Sequence, residues 1–309
     1  MTFELDLDLY DHRRRAGDTP DIDEELTLTQ RYIARCREDW EFFSVKEQKI
    51  QNKDGQVVPF IWNAPQRKLA QLVIRLWKAG QPVRIIVLKA RQWGCTTLVA
   101  SFIDWQTTMS GYRKAQIISQ DEDSTNTIFE MYEFYRDNHS ELVKRFVEKG
   151  NRKHGYTMDN GSMVRVRTAG TKQVASKVGR SKTNQLAHHS EVAFWDSPRQ
   201  THTASGRTIK RGPFTFIIDE STPNGAGGLF YERYRHAKRG QQKRKSIGKP
   251  EGGLINWFVA WFDIPEYTLP TTPEAEALWV TYQETKRESD REFLGLHRSA
   301  LERKDEHPH

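Results

Sequence analysis

Apolar positions along the chain change period repeatedly, and each change marks an element. From Asp21 to Trp40, the apolar residues Leu26, Tyr32, Ile33 and Trp40 fall at helical spacing among charges, which predicts an amphipathic packing helix. Phe42 to Trp62 alternates instead and contains Asp54-Gly55, a strong hairpin signal, so VKEQKIQNKDGQVVPFIW predicts two short strands. Asn63-Ala64-Pro65-Gln66 leads into a second helical pattern, RKLAQLVIRLWKAG, that Gly80 ends. Ile85 to Lys89 reads as a short buried strand, followed by the helical LVASFIDWQTTM. Lys114 to Gln120 is again strand-like, and Asp121 to Lys149 has the helical mixture of aromatic and charged residues. Asn160-Gly161 sits between two strand candidates within Tyr156 to Arg167 and predicts a hairpin. FTFIIDE, ending at Glu220, and LINWFVAWF, from Leu254 to Phe262, are later buried runs. This alternation of strand and helix predicts an α/β fold, a mainly parallel central sheet flanked by helices on both faces.

The stretch Arg84 to Thr97, RIIVLKARQWGCTT, joins strand to helix through a loop with one glycine, Gly94. That is the framework of a phosphate-binding P-loop: N–H groups at a helix N-terminus point outward, and the helix dipole favours an anion there. Thr96 and Thr97 open the helix, and a Thr hydroxyl at that position can hold Mg2+ beside nucleotide phosphates. The usual pattern ends Gly-Lys-Ser/Thr, whereas this chain has Gly94-Cys95-Thr96 and lacks the lysine. Lys89 and Arg91, at the other end of the loop, are the substitute cations, and either reaches the phosphates only if the loop folds over them. On these residues alone, an ordinary strand-turn-helix with surface cations is the competing reading.

Composition narrows the field modestly. The 309 residues allow one large domain or two small ones. A net charge of +7 suits a polyanionic partner such as nucleic acid, without setting the fold. The two cysteines, Cys36 and Cys95, have neither metal-site nor disulfide-framework spacing, which fits a reducing compartment. No apolar run approaches the roughly 20 residues that span a bilayer, and MTFELDLDLYDHRRR lacks the apolar centre of a signal peptide. Residues 1–25 read as a loosely held polar arm. Gly170 to Thr183 and Lys238 to Lys249 are basic runs, read either as solvated loops or as segments facing nucleotide or DNA phosphates.

Lys-Ala-Arg-Gln-x-Gly-x-Thr-Thr, from Lys89 to Thr97, resembles the deviant Walker A loop of phage terminase large subunits, the ATPases that pump DNA into procapsids. In that family the lysine often stands at the start of the loop. Asn184 to Trp195, NQLAHHSEVAFW, resembles the family's Walker B segment, with Ser190 where the Asp is usual and Glu191 in the Glu position. Glu220-Ser221-Thr222-Pro223-Asn224-Gly225 resembles its coupling motif, and Asp263 to Tyr267 the close of its ATPase domain. The resemblance covers residues 40 to 267.

The resemblance implies a RecA-like P-loop ATPase domain over residues 41–267, behind an arm and helix at 1–40 and before a charged tail at 268–309 too short for a nuclease domain. It implies ATP and Mg2+, with Lys89, Arg91, Gln92, Gly94, Cys95, Thr96 and Thr97 around the phosphates. Thr96, and Ser190 through a water, would hold the metal. Gln66 would read adenine; a surface glutamine is the plainer reading of that residue. Glu191 would activate the attacking water, Arg180 would stabilise the transferred phosphoryl group, and Glu220, Ser221 and Thr222 would couple hydrolysis to motion. By pattern alone, Asp219-Glu220 is the better Walker B, so the reverse assignment stays open. The implied partners are double-stranded DNA, the portal protein, the terminase small subunit and further copies of the chain in a ring, in the host cytoplasm and without a membrane. Two other readings stand beside this one: a different, helicase-like ATPase, and a P-loop DNA-binding or assembly module that has lost hydrolysis. Cys95 and Ser190 favour the last, since each removes a charge that phosphoryl transfer commonly uses.

Overall fold

The computed structural model describes residues 27–152, 154–170, 183–247 and 253–264. The N-terminal arm, the segment carrying Arg180, and the charged tail at 268–309 lie outside the described residues.

The first helical pattern resolves into two helices. Thr27 and Gln30 form a capping box at the start of α1 (Leu28–Glu38), and Asp39 then accepts from Phe42 N to cap α2 (Trp40–Glu47). The alternation from Phe42 is therefore helical at its start, a correction to the strand expected there: Trp40, Phe43, Ser44 and Glu47 share one buried face at spacings of three and four. The expected hairpin follows as β1 (Lys49–Gln51) and β2 (Val57–Pro59), with Gly55 left-handed at the turn. Next come α3 (Ala64–Lys78), β3 (Val83–Lys89), α4 (Cys95–Met109), β4 (Lys114–Ser119) and α5 (Glu122–Asn138). α5 ends well before Lys149, because Val147–Arg152 forms β5 and pairs antiparallel with β6 (Gly155–Met158). β6 turns through Asn160-Gly161 into β7 (Met163–Thr168). The chain continues through β8 (Leu186–His189), a short 3-10 turn (Val192–Phe194), α6 (Pro198–Gly206), β9 (Phe216–Ser221), α7 (Gly228–Ser246) and β10 (Ile255–Val259). The basic run from Lys238 is thus helical through Ser246, not an open loop. Phe230, Tyr234 and Ala237 on the preceding turns are buried and pin α7 to the sheet.

The main sheet has the order β10-β3-β9-β8-β4-β7-β6-β5. Its first six strands are parallel, and β6 and β5 add an antiparallel edge. The expected α/β class with a mainly parallel sheet stands. Strand alternation divides the interior between two faces. Ile85, Val87, Ile117, Leu186, Phe216 and Ile218 pack on the front, under α1 to α5. Ile86, Leu88 and Ile118 pack on the back with Phe230, Tyr234 and Ala237 of α7.

α4 is the front face's central support, buried almost throughout. Phe102 on it lies edge-on to Trp40, Trp77 and Trp105 and stacks on Phe216 at 4.5 Å. Asp104 in the same helix is buried but satisfied, accepting from Gln48 Nε2 at 2.7 Å and meeting His139 Nε2 at 3.0 Å. Among the described residues no helix is long and apolar enough to cross a membrane.

Removing the Phe102 ring opens a cavity that fixed neighbours fill poorly, so Phe102→Ala lowers stability by about 3–5 kcal/mol in chemical denaturation. The cysteines supply a second check, since both are free and buried. Burial, with Glu47 beside it, pushes the Cys36 thiol up to about 12, and burial near Glu220 pushes Cys95 well above its ordinary value. Neither thiol reacts with a disulfide reagent in the folded protein at pH 8, and both react in denaturant. Rapid native-state labelling of either would contradict this packing.

Candidate active site

The loop after β3 is built by what braces it. Gly94 adopts φ +78°, a left-handed conformation that glycine takes without strain, and hands the chain to α4. The loop carbonyls are held from α3: Asn63 Nδ2 donates to Trp93 O at 3.1 Å, and Gln66 Nε2 donates to Gly94 O at 2.9 Å. Gln66 also accepts from Asn63 N at 2.9 Å, completing the capping box that starts α3. It is buried, which removes the surface reading, and both ends of its amide are engaged within the protein. Trp93 is buried as well, while Arg91 and Gln92 are exposed at the outer side of the loop. Cys95, Thr96 and Thr97 form the first turn of α4, whose N–H groups have no carbonyl of their own helix to bond.

Lys89, at the end of β3, is only 8% exposed. Its ammonium donates to Glu191 Oε1 at 2.8 Å and lies 3.5 Å from Glu220 Oε2. Burial pulls the lysine pKa down, but Glu220, Cys95 and Glu191 outweigh it and hold the group well above the ordinary lysine range. Burial likewise works against ionised Glu220; Lys89, His188 and Thr96 prevail and hold it far below the usual carboxylate range.

Glu191 follows β8 in a left-handed backbone conformation, φ 51°, uncommon for a residue with a side chain. From there its Oε2 accepts from Thr222 N at 3.0 Å, Thr222 Oγ1 at 3.2 Å and Ser221 Oγ at 3.2 Å. Glu220 is different. Its Oε1 accepts from Thr96 Oγ1 at 2.6 Å and Ser190 Oγ at 3.0 Å and meets His188 Nε2 at 3.0 Å. Its Oε2 is buried and has no hydrogen-bond partner among the described residues. Lys89, Cys95, Thr96, Ser190, Glu191, Glu220, Ser221 and Thr222 therefore converge at one end of the parallel strands. Two hydroxyls beside an ionised carboxylate, one of whose oxygens makes no hydrogen bond, form the hard-oxygen donor set that suits Mg2+.

The back of the same strands carries a second polar group. Asp219 meets His189 Nδ1 at 2.6 Å and His202 Nε2 at 3.0 Å, and Arg233 of α7 donates to it at 2.9 Å. His189 Nε2 also meets Ser205 Oγ at 2.7 Å. Burial lowers the His189 pKa, against the opposing pull of Asp219. His189, His202 and Asp219 lie close enough to share an ion, yet their atoms already bond one another and Arg233 sets a positive charge beside them.

No protein-family model matches the chain, and no curated protein matches its sequence. Solved structures do match. The HK97 bacteriophage large terminase superposes with a TM-score of 0.52 at 13% identity, over 81% of this chain and 47% of that one. The fold is that of a phage large terminase. Less similar are the large terminase ATPase domain of Thermus phage P74-26 (TM-score 0.46, 16% identity, 72% of this chain and 87% of that one) and the large terminase of thermophilic bacteriophage D6E with ADP (TM-score 0.44, 11% identity, 64% and 44%). The chain spans about half the length of the HK97 terminase.

Within this terminase fold, β9 enters between the loop strand β3 and the strand β8 that leads to Glu191. No role was assigned from the sequence to His188, nor to His189, His202 and Arg233 around Asp219. Alternation on β8 carries the missing signal: Leu186 packs on the front, so His188, two residues on, shares that face with the loop, and His189 takes the other. Arg180 lies outside the described residues.

A methyl group on Gly94 would sit 2.5 Å from Gln66 Nε2 and hold the left-handed backbone under strain. Gly94→Ala lowers stability by about 1–3 kcal/mol. Gln66→Ala removes the clash along with the brace, so a double-mutant cycle finds the pair less destabilised than the sum. Simple additivity would refute the coupling.

Proposed function

We propose that this chain is the ATPase motor part of a viral DNA-packaging terminase, hydrolysing ATP to drive double-stranded DNA into a procapsid. One observation carries the reading: a buried, ionised lysine at the end of β3, held by two carboxylates beside the first turn of α4. It compensates for the lysine missing at Cys95. A triphosphate in the loop takes over Lys89 from Glu191, in company with the amides of Gly94, Cys95, Thr96 and Thr97 and the outer residues Arg91 and Gln92. Glu191, released from the ammonium, then accepts a proton from the attacking water while Ser221 and Thr222 keep it aimed. Arg180 stabilises charge on the transferred phosphoryl group. Thr96, and Ser190 through a water, would hold Mg2+, which would supply positive charge beside the phosphates. Gln66 braces the loop, and its adenine-reading role requires one of its present bonds to open.

Glu220, Ser221 and Thr222 are the coupling element in this reading, because their strand touches both Thr96 and the clamp on Glu191. The exposed cations of α7, among them Arg239, Lys243 and Lys245, suit DNA phosphates. Portal, small subunit and sister copies in a ring are the partners, and the host cytoplasm is the place. A second reading, a module that binds without hydrolysing, is favoured by the full engagement of the Glu191 carboxylate. Steady-state ATPase assays with DNA and partners separate the two. Glu191→Gln reduces kcat by about 100-fold or more while ATP binding persists, and Lys89→Ala weakens ATP binding and turnover together. A wild type no more active than Glu191→Gln selects the binding module.

A further inference from the structure

Ser190 stands where a P-loop site commonly gives its metal a carboxylate, and the neighbouring Glu191 is taken up by the water. We infer that Glu220, one strand away on β9, supplies that carboxylate and holds Mg2+ together with Thr96. The inference rests on the ATPase reading and adds what that reading leaves open: where the negative metal ligand comes from.

Three observations support it. First, Thr96, the helix-start hydroxyl suited to the metal, bonds Glu220 at 2.6 Å and not a group after β8. Second, the two oxygens of Glu220 are unequally used. Thr96, Ser190 and His188 all crowd Oε1, whereas Oε2 has no hydrogen-bond partner among the described residues, with Lys89 Nζ at 3.5 Å. That buried oxygen makes no hydrogen bond and is balanced only by the Lys89 ammonium; once a triphosphate draws Lys89 away, the oxygen is left open to a divalent cation. Third, strand order makes the substitution geometrically simple. β9 is adjacent to both β3 and β8, and His189 and Asp219 pair across β8 and β9. Ser190 and Glu220 each follow those paired residues by one, so a carboxylate lost at Ser190 has a neighbour ready at Glu220. Ser190 and His188 then act as positioning residues, fixing Oε1 so that the other oxygen is presented.

This arrangement also divides the two acidic residues by task. Glu191, backbone-strained and partly exposed, keeps the water; Glu220, buried and braced, keeps the metal. The alternation of β9 sends Glu220 to the loop side, while Asp219 goes to the back and takes no part.

The test is Mn2+ binding, read by the loss of the free-ion electron paramagnetic resonance signal with and without ADP, on wild type, Glu220→Gln, Glu191→Gln and the double variant Ser190→Asp/Glu220→Gln. Wild type with ADP takes up Mn2+. Glu220→Gln weakens that uptake at least tenfold while metal-free ADP affinity, measured by calorimetry, changes less than threefold. Glu191→Gln stays within threefold of wild type for Mn2+. The double variant recovers most of the lost affinity, because a carboxylate now stands at position 190; a merely structural role for Glu220 gives no such rescue, and circular dichroism identifies any variant that has unfolded. Mn2+ uptake by Glu220→Gln equal to wild type overturns the inference and leaves the ATPase reading intact. Glu220-dependent Mn2+ uptake without any ADP binding supports the metal site and defeats the ATPase reading. Binding of neither ligand by wild type defeats both.

Discussion

A positive charge buried at the end of β3 governs this molecule. An ammonium without counter-charges in such a place is prohibitive. Lys89 is tolerated because Glu191 and Glu220 reach it from two different strand ends. That requirement acts on the fold as much as on the chemistry. β9 has to lie against β3, β8 has to lie against β9, and the chain after β8 has to turn back sharply enough to return a carboxylate. The left-handed backbone of Glu191, a strain on the order of 1–3 kcal/mol, is the local cost of that return. Ser221 and Thr222 offset it by bonding the same carboxylate from β9.

The elements with strong local punctuation were legible in the sequence. Asp54-Gly55, Asn160-Gly161, Gly80 and Gly94 mark turns or helix ends in the structure because each occupies a left-handed position that few other residues accept. Patterns lacking such a marker were misread at their edges. Asp39 looks like one more charge inside a helix, yet its side chain starts a second helix by capping Phe42. The mixed run 138–149 suits a helix equally well, and only pairing with β6, a contact no local pattern encodes, makes its end a strand. The site divides the same way. Lys89 and Thr96 could be placed from the loop pattern, whereas Glu191 came only from the resemblance, since by pattern alone Asp219-Glu220 is the better match. The meeting of Thr96 with Glu220, 124 residues apart, depends on strand order. The engagement of Gln66 depends instead on how α3 packs beside the loop, which brings Gly94, 28 residues on, to the first turn of that helix.

Two polar groups back to back give this sheet an unusual centre. Parallel strands buried on both faces are expected to be almost wholly apolar, and most of β3 obeys. β8 and β9 do not: His188 and Glu220 face forward, His189 and Asp219 backward, each with partners. These strands give up apolar area for hydrogen bonds, which fix their register against β3 more tightly than aliphatic contacts would.

Asp219 and Glu220 are consecutive residues with opposite outlooks. One grips the guanidinium of α7, the other the hydroxyl that begins α4. A strand rises only about 3.3 Å per residue, so sliding β9 by a fraction of that distance would slacken both grips together. The two helices on opposite sides of the sheet are in effect fastened by a single rivet, and a disturbance at one head is felt at the other without any hinge between them.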